Sequence, residues 1–200
     1  MEAEHQIYLA SRSPRRGELL TQIGVRFASL AADIDEARRS DEPPQVYVRR
    51  VALEKGRAGR ATLPASDDRP VLAADTAVVR ADALLGKPRD REDAARMLRL
   101  LSGRTHRVLT AVALIAGARE WVEMSESRVT FRPIGETEIQ RYWRTGEPLD
   151  KAGGYGIQGH GALFVAALEG SYSGVMGLPL FETGRLLERA GIELLPAQAD

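Results

Sequence analysis

Two hundred residues with 44% hydrophobic content suit one soluble domain, or two lobes sharing a core. Lys+Arg and Asp+Glu both total 28, so the formal net charge is zero and long-range attraction to nucleic acid or an anionic membrane is not indicated. The lack of cysteine excludes disulfides, thiolate zinc sites and a Cys nucleophile; with an acidic start, MEAEHQ, unlike a signal peptide, and no apolar run near membrane-span length, a cytoplasmic protein is expected.

Ile7–Ala10 is a short apolar run that predicts a buried strand. It breaks at Ser11-Arg12-Ser13 and resumes with helical spacing at Leu19, Leu20 and Ile23. Ser13 suits an N-cap and Pro14 the first helical position. Backbone N–H groups, the positive end of the helix dipole, and Arg12, Arg15 and Arg16 would then converge on an anion site, most naturally for phosphate. The competing reading is a capped surface helix with solvated arginines. Gly24 is a natural stop, and Val25–Leu30 predicts a second strand.

Asp33-Ile34-Asp35-Glu36 follows, a carboxylate cluster whose meaning depends on what else arrives nearby. After a breaker at Asp41–Pro44, helical spacing runs from about Gln45 to Ala61. It places Lys55 at the edge of the stripe made by Val48, Val51 and Ala52, where a lysine commonly snorkels. Thr62–Pro70 is a polar loop. The run Val71–Ala74 ends in Asp75-Thr76, which would set a carboxylate and a hydroxyl at the C-terminal edge of a sheet, where open α/β sheets bind ligands.

Val78-Val79 continues this strand, Asp82 marks a turn, and Gly86-Lys87-Pro88 fixes a lysine between two conformational punctuators. Asp90 caps a helix with Ala94, Met97, Leu98 and Leu101 inward, ended by Ser102-Gly103. Val108–Ala116 and Trp121–Phe131 read as antiparallel strands joined across Gly117, and Glu136–Thr145 as a short helix whose Tyr142 and Trp143 pack.

Five glycines in Gly153–Gly161 let backbone approach a ligand closely, with Asp150, Lys151 and Gln158 as polar handles. The formal G-x-G-x-x-G at Gly154, Gly156 and Gly159 is not a dinucleotide fingerprint, because no hydrophobic strand precedes it and a strand-like run, Ala162–Ala167, follows. Ser171–Leu180 reads as a glycine-spaced loop before a last amphipathic helix, Leu180–Ala190. With no repeat or linker, the chain reads as one domain, 1–200.

No P-loop, no metal-ligand spacing among His5, His106 and His160, and no G-x-S-x-G elbow are present. An arginine-bearing helix start, lysines, Glu36, Asp75 and a glycine-rich loop remain. That inventory fits a triphosphate held by cations, with acids to bind a hard metal and activate water.

The segments LASRSPRRGELL, DIDE, AADT, LGKPRD, MLRLLSGRTH, GEPLDKAGGYGIQGHGALFV and GSYSGVMGLPLFET stand in one order between Ile7 and about Ile192. In this the chain resembles the Maf family of nucleoside triphosphate pyrophosphatases. The resemblance implies a Maf/ITPase-like α/β fold: an elongated mixed, largely antiparallel sheet flanked by helices, in two lobes with a deep cleft. It implies release of pyrophosphate from a nucleoside triphosphate with a divalent cation, Mg²⁺ or Mn²⁺, and a homodimer. It makes Asp75 the acid/base that activates water and puts Glu36 with it around the metal. Ser11, Arg15 and Arg16 fall on the phosphate-binding turn, and Lys55 and Lys87 face the polyphosphate. Arg15, Thr76 and Gln158 look like the specificity positions of the branch acting on dTTP and UTP, as opposed to 7-methyl-GTP; a glutamine amide can match a uracil-type edge. Modified pyrimidine triphosphates fit the same reading. Arg12, Ala74 and Gly154 depart from the family pattern without removing a reactive group. The alternatives are a 7-methyl-GTP pyrophosphatase and a nucleotide-binding regulator of cell division that acts without catalysis.

Overall fold

The structure, a computed structural model, describes residues 5–81 and 83–195; the turn expected at Asp82 lies outside the described residues. Among them the strands are β1 (Ile7–Ala10), β2 (Phe27–Leu30), β3 (Val71–Arg80), β4 (Ala83–Leu85), β5 (Thr105–Ala116), β6 (Arg119–Phe131) and β7 (Val165–Glu169). They pair in the order β2-β1-β3-β5-β6-β7, with β4 on β3. The helices are α1 (Pro14–Gln22), α2 (Pro44–Ala61), α3 (Arg91–Leu101), α4 (Glu136–Arg144), α5 (Tyr172–Met176) and α6 (Leu180–Arg189). None of the described helices is long and apolar enough to cross a membrane. The sheet is mixed, as the resemblance implies: β1 runs parallel to β2 and β3, whereas β3–β4 and β6–β7 are antiparallel. The chain forms two compact units, and β3, β5 and β6 each give one segment to either.

The first unit comprises Met1–Asp75, Ala111–Met124 and Gly177–Asp200. All four residues of β1 are buried, as a continuous apolar run in a parallel strand requires. Helix α2 lies against the strands with its glycines inward. A Cβ on Gly59 would meet the Ala10 Cβ at 2.8 Å, and one on Gly56 the Ile115 Cγ1 at 2.9 Å. Alanine there would push helix from sheet at a cost of about 1–3 kcal/mol. Tyr8, Ala10, Val71, Ala73 and Ile115 form the core beneath.

Strand β3 continues through Val78-Val79 to Arg80, as expected, so Asp75 stands mid-strand and not at the sheet edge where the run ending in Asp-Thr had placed it. What ends is the parallel ladder. Its registered pairs are Tyr8↔Val71 and Leu9↔Leu72, so Asp75 stands just past the carboxyl end of β1. The carboxylate thus reaches the end of β1 from the middle of β3.

The second unit comprises Thr76–Thr110 and Ser125–Met176. Strands β3 and β4 form a tight hairpin, with Val78 opposite Leu85 and Arg80 opposite Ala83. Asp90 caps α3 by accepting from Asp93 N at 2.8 Å, and Ala94, Met97, Leu98 and Leu101 are buried, as their spacing predicts. Phe131 packs edge-on against Tyr155 and His106, and Tyr142 edge-on against Phe164. Tyr142 is therefore a packing residue, as expected. Two local readings change. The strand predicted from Ala162 begins only at Val165, because His160–Phe164 wind into a 3-10 turn first. The loop after Ser171 contains the short helix α5, started by Ser171 Oγ accepting from Gly174 N at 2.9 Å.

Candidate active site

The carboxylate cluster, the edge lysine of α2 and the mid-strand aspartate meet in the first unit. Lys55 Nζ lies 2.9 Å from Asp75 Oδ1 and 3.0 Å from Glu36 Oε2. The Lys55 and Asp75 side chains are 12% and 8% exposed and that of Glu36 is 53% exposed, so one carboxylate is buried and the other faces water. Lys55 does not snorkel; it turns inward to neutralise both. Burial pushes the Asp75 carboxyl above the usual carboxylate range, against the opposing pull of Lys55 and Arg16.

Glu36 sits on an irregular connection between β2 and α2, and α2 fixes it through the backbone. The Tyr47 hydroxyl donates to the Glu36 carbonyl at 3.1 Å, and Arg50 Nη2 to the Ala37 carbonyl at 3.0 Å. Arg50 is itself gripped by Glu42, through Nε at 2.6 Å and Nη2 at 2.8 Å, and by Glu54 at 2.9 Å. That grip, chiefly the side-chain hydrogen bond from Arg50, lowers the Glu42 carboxyl to about 2. Burial first, then the nearby negative charges of Asp75 and Glu36, raise the Tyr47 phenol to about 12, so it stays a donor at neutral pH.

The turn after β1 differs from its expected form. Ser13 occupies the N-cap position without a side-chain cap bond. Ser11 Oγ instead closes the turn before the helix, accepting from Ser13 N at 3.2 Å and from Arg16 Nη1 at 3.0 Å. The Arg16 N–H donates to the Ser13 carbonyl, and Pro14 has no N–H, so the helix start presents fewer donors to an anion than its position suggests. Arg12 pairs with Asp33 on the surface. Arg16 also donates from Nε to the Gly177 carbonyl at 2.8 Å. Burial lowers its basicity, while the charges of Asp75 and Glu36 raise it, which places the guanidinium in the field of both carboxylates. Arg15 precedes it on the first turn of α1 and opposes its charge.

Glu36, Lys55 and Asp75 thus form one connected charged cluster, and the Ser11-bound Arg16 guanidinium lies in the field of its carboxylates. Thr76, Lys87 and Gln158 belong to the second unit. The Thr110 hydroxyl donates to the Gly174 carbonyl at 2.7 Å, so in its 3.0 Å contact with Thr76 the Thr76 hydroxyl is the donor. Lys87 is exposed, and its loop is tied to the glycine run by Gly153 N donating to the Gly86 carbonyl at 3.0 Å. Gln158 is exposed. Of the other polar handles, Lys151 bonds Asp150 at 2.6 Å and the Glu147 carbonyl at 3.1 Å, so these two serve each other.

Sequence reasoning missed the Gly177 carbonyl, Tyr47 and Arg50. A carbonyl leaves no trace in residue type. Arg50 did leave one, its i,i+4 relation to Glu54 on α2.

Two carboxylates drawn to one ammonium form a donor set suited to a hard divalent cation, whose remaining ligands would be phosphate oxygens and water. Among the described residues no group of three or more His, Asp or Glu forms a larger cage.

The family model described as Maf-like protein matches residues 6–190. The dTTP/UTP pyrophosphatase of Alkalilimnicola ehrlichii is 56% identical over 198 residues, 96% of this chain and 98% of that one. Its counterpart in Saccharophagus degradans is 55% identical over 91% of this chain and 87% of its own length. That of Aromatoleum aromaticum is 53% identical over 94% and 97%. The solved structure of the Staphylococcus aureus Ham1 protein aligns with 62% of this chain and 71% of its own at TM-score 0.45 and 13% identity.

Proposed function

This chain belongs to the Maf family, and from that premise we propose that it hydrolyses dTTP and UTP to the monophosphate and pyrophosphate, with Asp75 as the base that activates water. The observation that carries the assignment of Asp75 is its 2.9 Å contact with Lys55, which also holds Glu36. A buried carboxylate with raised proton affinity is a better base near neutral pH than a solvated one. The ammonium holds its oxygen in place and keeps it ionised until a water is presented.

In this reading the Asp75 carboxylate takes the proton of the water that attacks the α-phosphorus, and pyrophosphate departs in line. Arg16, Arg15 and Lys87 supply cationic charge to the departing oxygens, and Lys55 does so as its own partners change. Ser11 fixes the Arg16 guanidinium at 3.0 Å and so sets where that charge points. Glu36 and Asp75 would hold a divalent cation, Mg²⁺ or Mn²⁺, which supplies charge neutralisation and polarisation of phosphate oxygens when bound. Thr76 and Gln158 serve base recognition, and Gln158 is exposed to meet a ligand. Free nucleotide, and not nucleic acid, is the substrate, and the family resemblance carries the reading of a homodimer.

Product analysis tests this directly. Purified protein with Mg²⁺ or Mn²⁺ is offered dTTP, UTP, CTP, dATP, GTP and 7-methyl-GTP. Monophosphate and pyrophosphate from dTTP and UTP alone is the expected result. Turnover of 7-methyl-GTP instead would overturn the roles given to Thr76 and Gln158, and binding of dTTP without turnover would overturn catalysis.

A further inference from the structure

The glycine run Gly153–Gly161 is shaped by one carboxylate. Glu147 opens the 3-10 turn Glu147–Asp150, and its side chain is 13% exposed. Its Oε1 accepts from the Tyr142 hydroxyl at 2.7 Å and from Gly161 N at 3.1 Å. Its Oε2 accepts from His160 N at 2.7 Å and lies 3.3 Å from His160 Nδ1. The Tyr142 oxygen accepts in turn from Gly156 N at 3.1 Å. Glycine is needed here for closeness: a Cβ on Gly156 would lie 3.0 Å from Glu147 Oε1, one on Gly161 would lie 2.8 Å from the Tyr142 oxygen, and one on Gly159 would overlap the Glu147 carboxylate.

These bonds grip the chain on both sides of Gln158, at Gly156 through Tyr142 and at His160 and Gly161 directly. The Gln158 side chain itself is exposed. The Tyr142 hydroxyl and the His160 and Gly161 N–H groups facing Glu147 are all donors, so the site calls for an acceptor-only side chain, which means an ionised carboxylate. A glutamine would aim its NH₂ at one of those donors. Surface loops are otherwise mobile, and recognition groups need placement to within roughly 0.5 Å.

We propose that Glu147, relayed through the Tyr142 hydroxyl, is a positioning residue that sets base discrimination by holding the backbone on both sides of Gln158. This rests on the reading of Gln158 as the group that meets the base.

The test is steady-state kinetics with dTTP and CTP on the wild type, Gln158→Ala, Glu147→Gln, Tyr142→Phe and the double variant Glu147→Gln/Gln158→Ala. Gln158→Ala should lower the dTTP-to-CTP ratio of kcat/KM by about 10-fold, the size of one lost base contact. Glu147→Gln should lower it by a similar factor through the KM for dTTP, with kcat changed by less than about 3-fold, as loss of uniform binding requires. Tyr142→Phe should give roughly a 3-fold loss of the same kind, and it carries the test if Glu147→Gln fails to fold. In the Gln158→Ala background Glu147→Gln should add nothing to the loss of discrimination, since the two act through one group. An unchanged ratio in Glu147→Gln, or in Tyr142→Phe where that variant carries the test, beside a reduced one in Gln158→Ala would overturn the proposal alone. An unchanged ratio in Gln158→Ala would overturn the reading of Gln158 and the proposal with it.

Discussion

The two units hold their functional groups by opposite means. In the first, side chains hold side chains: Lys55 neutralises Asp75 and Glu36, and Ser11 steadies Arg16. In the second, one carboxylate holds backbone: Glu147 accepts from the His160 and Gly161 N–H groups and, through the Tyr142 hydroxyl, holds Gly156, while Gln158 is exposed. Charge compensation lets carboxylates stay buried, and backbone clamping fixes the shape of a loop without engaging the Gln158 side chain. A lesion in the first unit should therefore cost turnover or stability, and one in the second should cost choice of substrate.

The largest effect that can break this contrast is at Asp75, the proposed base. Asp75→Asn keeps the shape and loses the basicity, so kcat should fall by roughly 10³-fold, within the span of general-base contributions, while dTTP still binds. Single-turnover hydrolysis beside equilibrium binding reads both, and near-wild-type turnover would remove Asp75 from its role.

Lys55→Met comes next. It strands a buried carboxylate, for which chemical denaturation should show a loss of about 3 kcal/mol. It also removes the ion pair that draws the Asp75 proton affinity down. The acid limb of kcat/KM should then move to higher pH. A limb left in place would mean that another group is the base.

His106 supplies a pH test confined to the second unit. Burial first, with the charge of Arg80, depresses its imidazolium from 6.5 to about 4, and its Nε2 lies 2.8 Å from the Tyr155 hydroxyl. As pH falls, the unfolded chain takes up the proton before the folded one. This contribution to stability is complete above about pH 6.5 and is lost progressively down to about pH 4. Denaturant unfolding should show a loss of about 2 kcal/mol between pH 7 and 5 from this group, absent in His106→Gln. An equal loss in that variant would assign the pH dependence elsewhere.

The smallest effect belongs to the arginine already engaged at the surface. Arg12 and Asp33 are 74% and 77% exposed, so Arg12→Ala should cost under about 1 kcal/mol by thermal unfolding. Its KM for dTTP should change by less than about 3-fold, since its charge is answered by Asp33. A larger rise in KM would return Arg12 to the anion site.

Much of the frame was legible because local chemistry dictated it. The β1 run, the Asp90 cap and the stripe of α3 follow from periodicity and capping, and the mixed sheet followed from the family resemblance. The meeting of Glu36, Lys55 and Asp75 was legible as residue types but not as geometry, since sequence spacing cannot say that the edge lysine of α2 turns inward. That Ser11, and not Ser13, engages Arg16 was hidden for a similar reason: either hydroxyl suits the turn, and only the position of the guanidinium chooses. Glu147 was the least visible. A glycine run announces close approach without naming what approaches, and here the neighbour is a side chain of the protein itself.

In the proposed reaction the first unit's carboxylate and lysine cluster directs water to the α-phosphorus of dTTP. Hydrolysis in oxygen-18 water, with mass spectrometry of both products, tests it most directly. The label is expected in dTMP and not in pyrophosphate, with neither product formed at an appreciable rate by Asp75→Asn. Label in the pyrophosphate would contradict it.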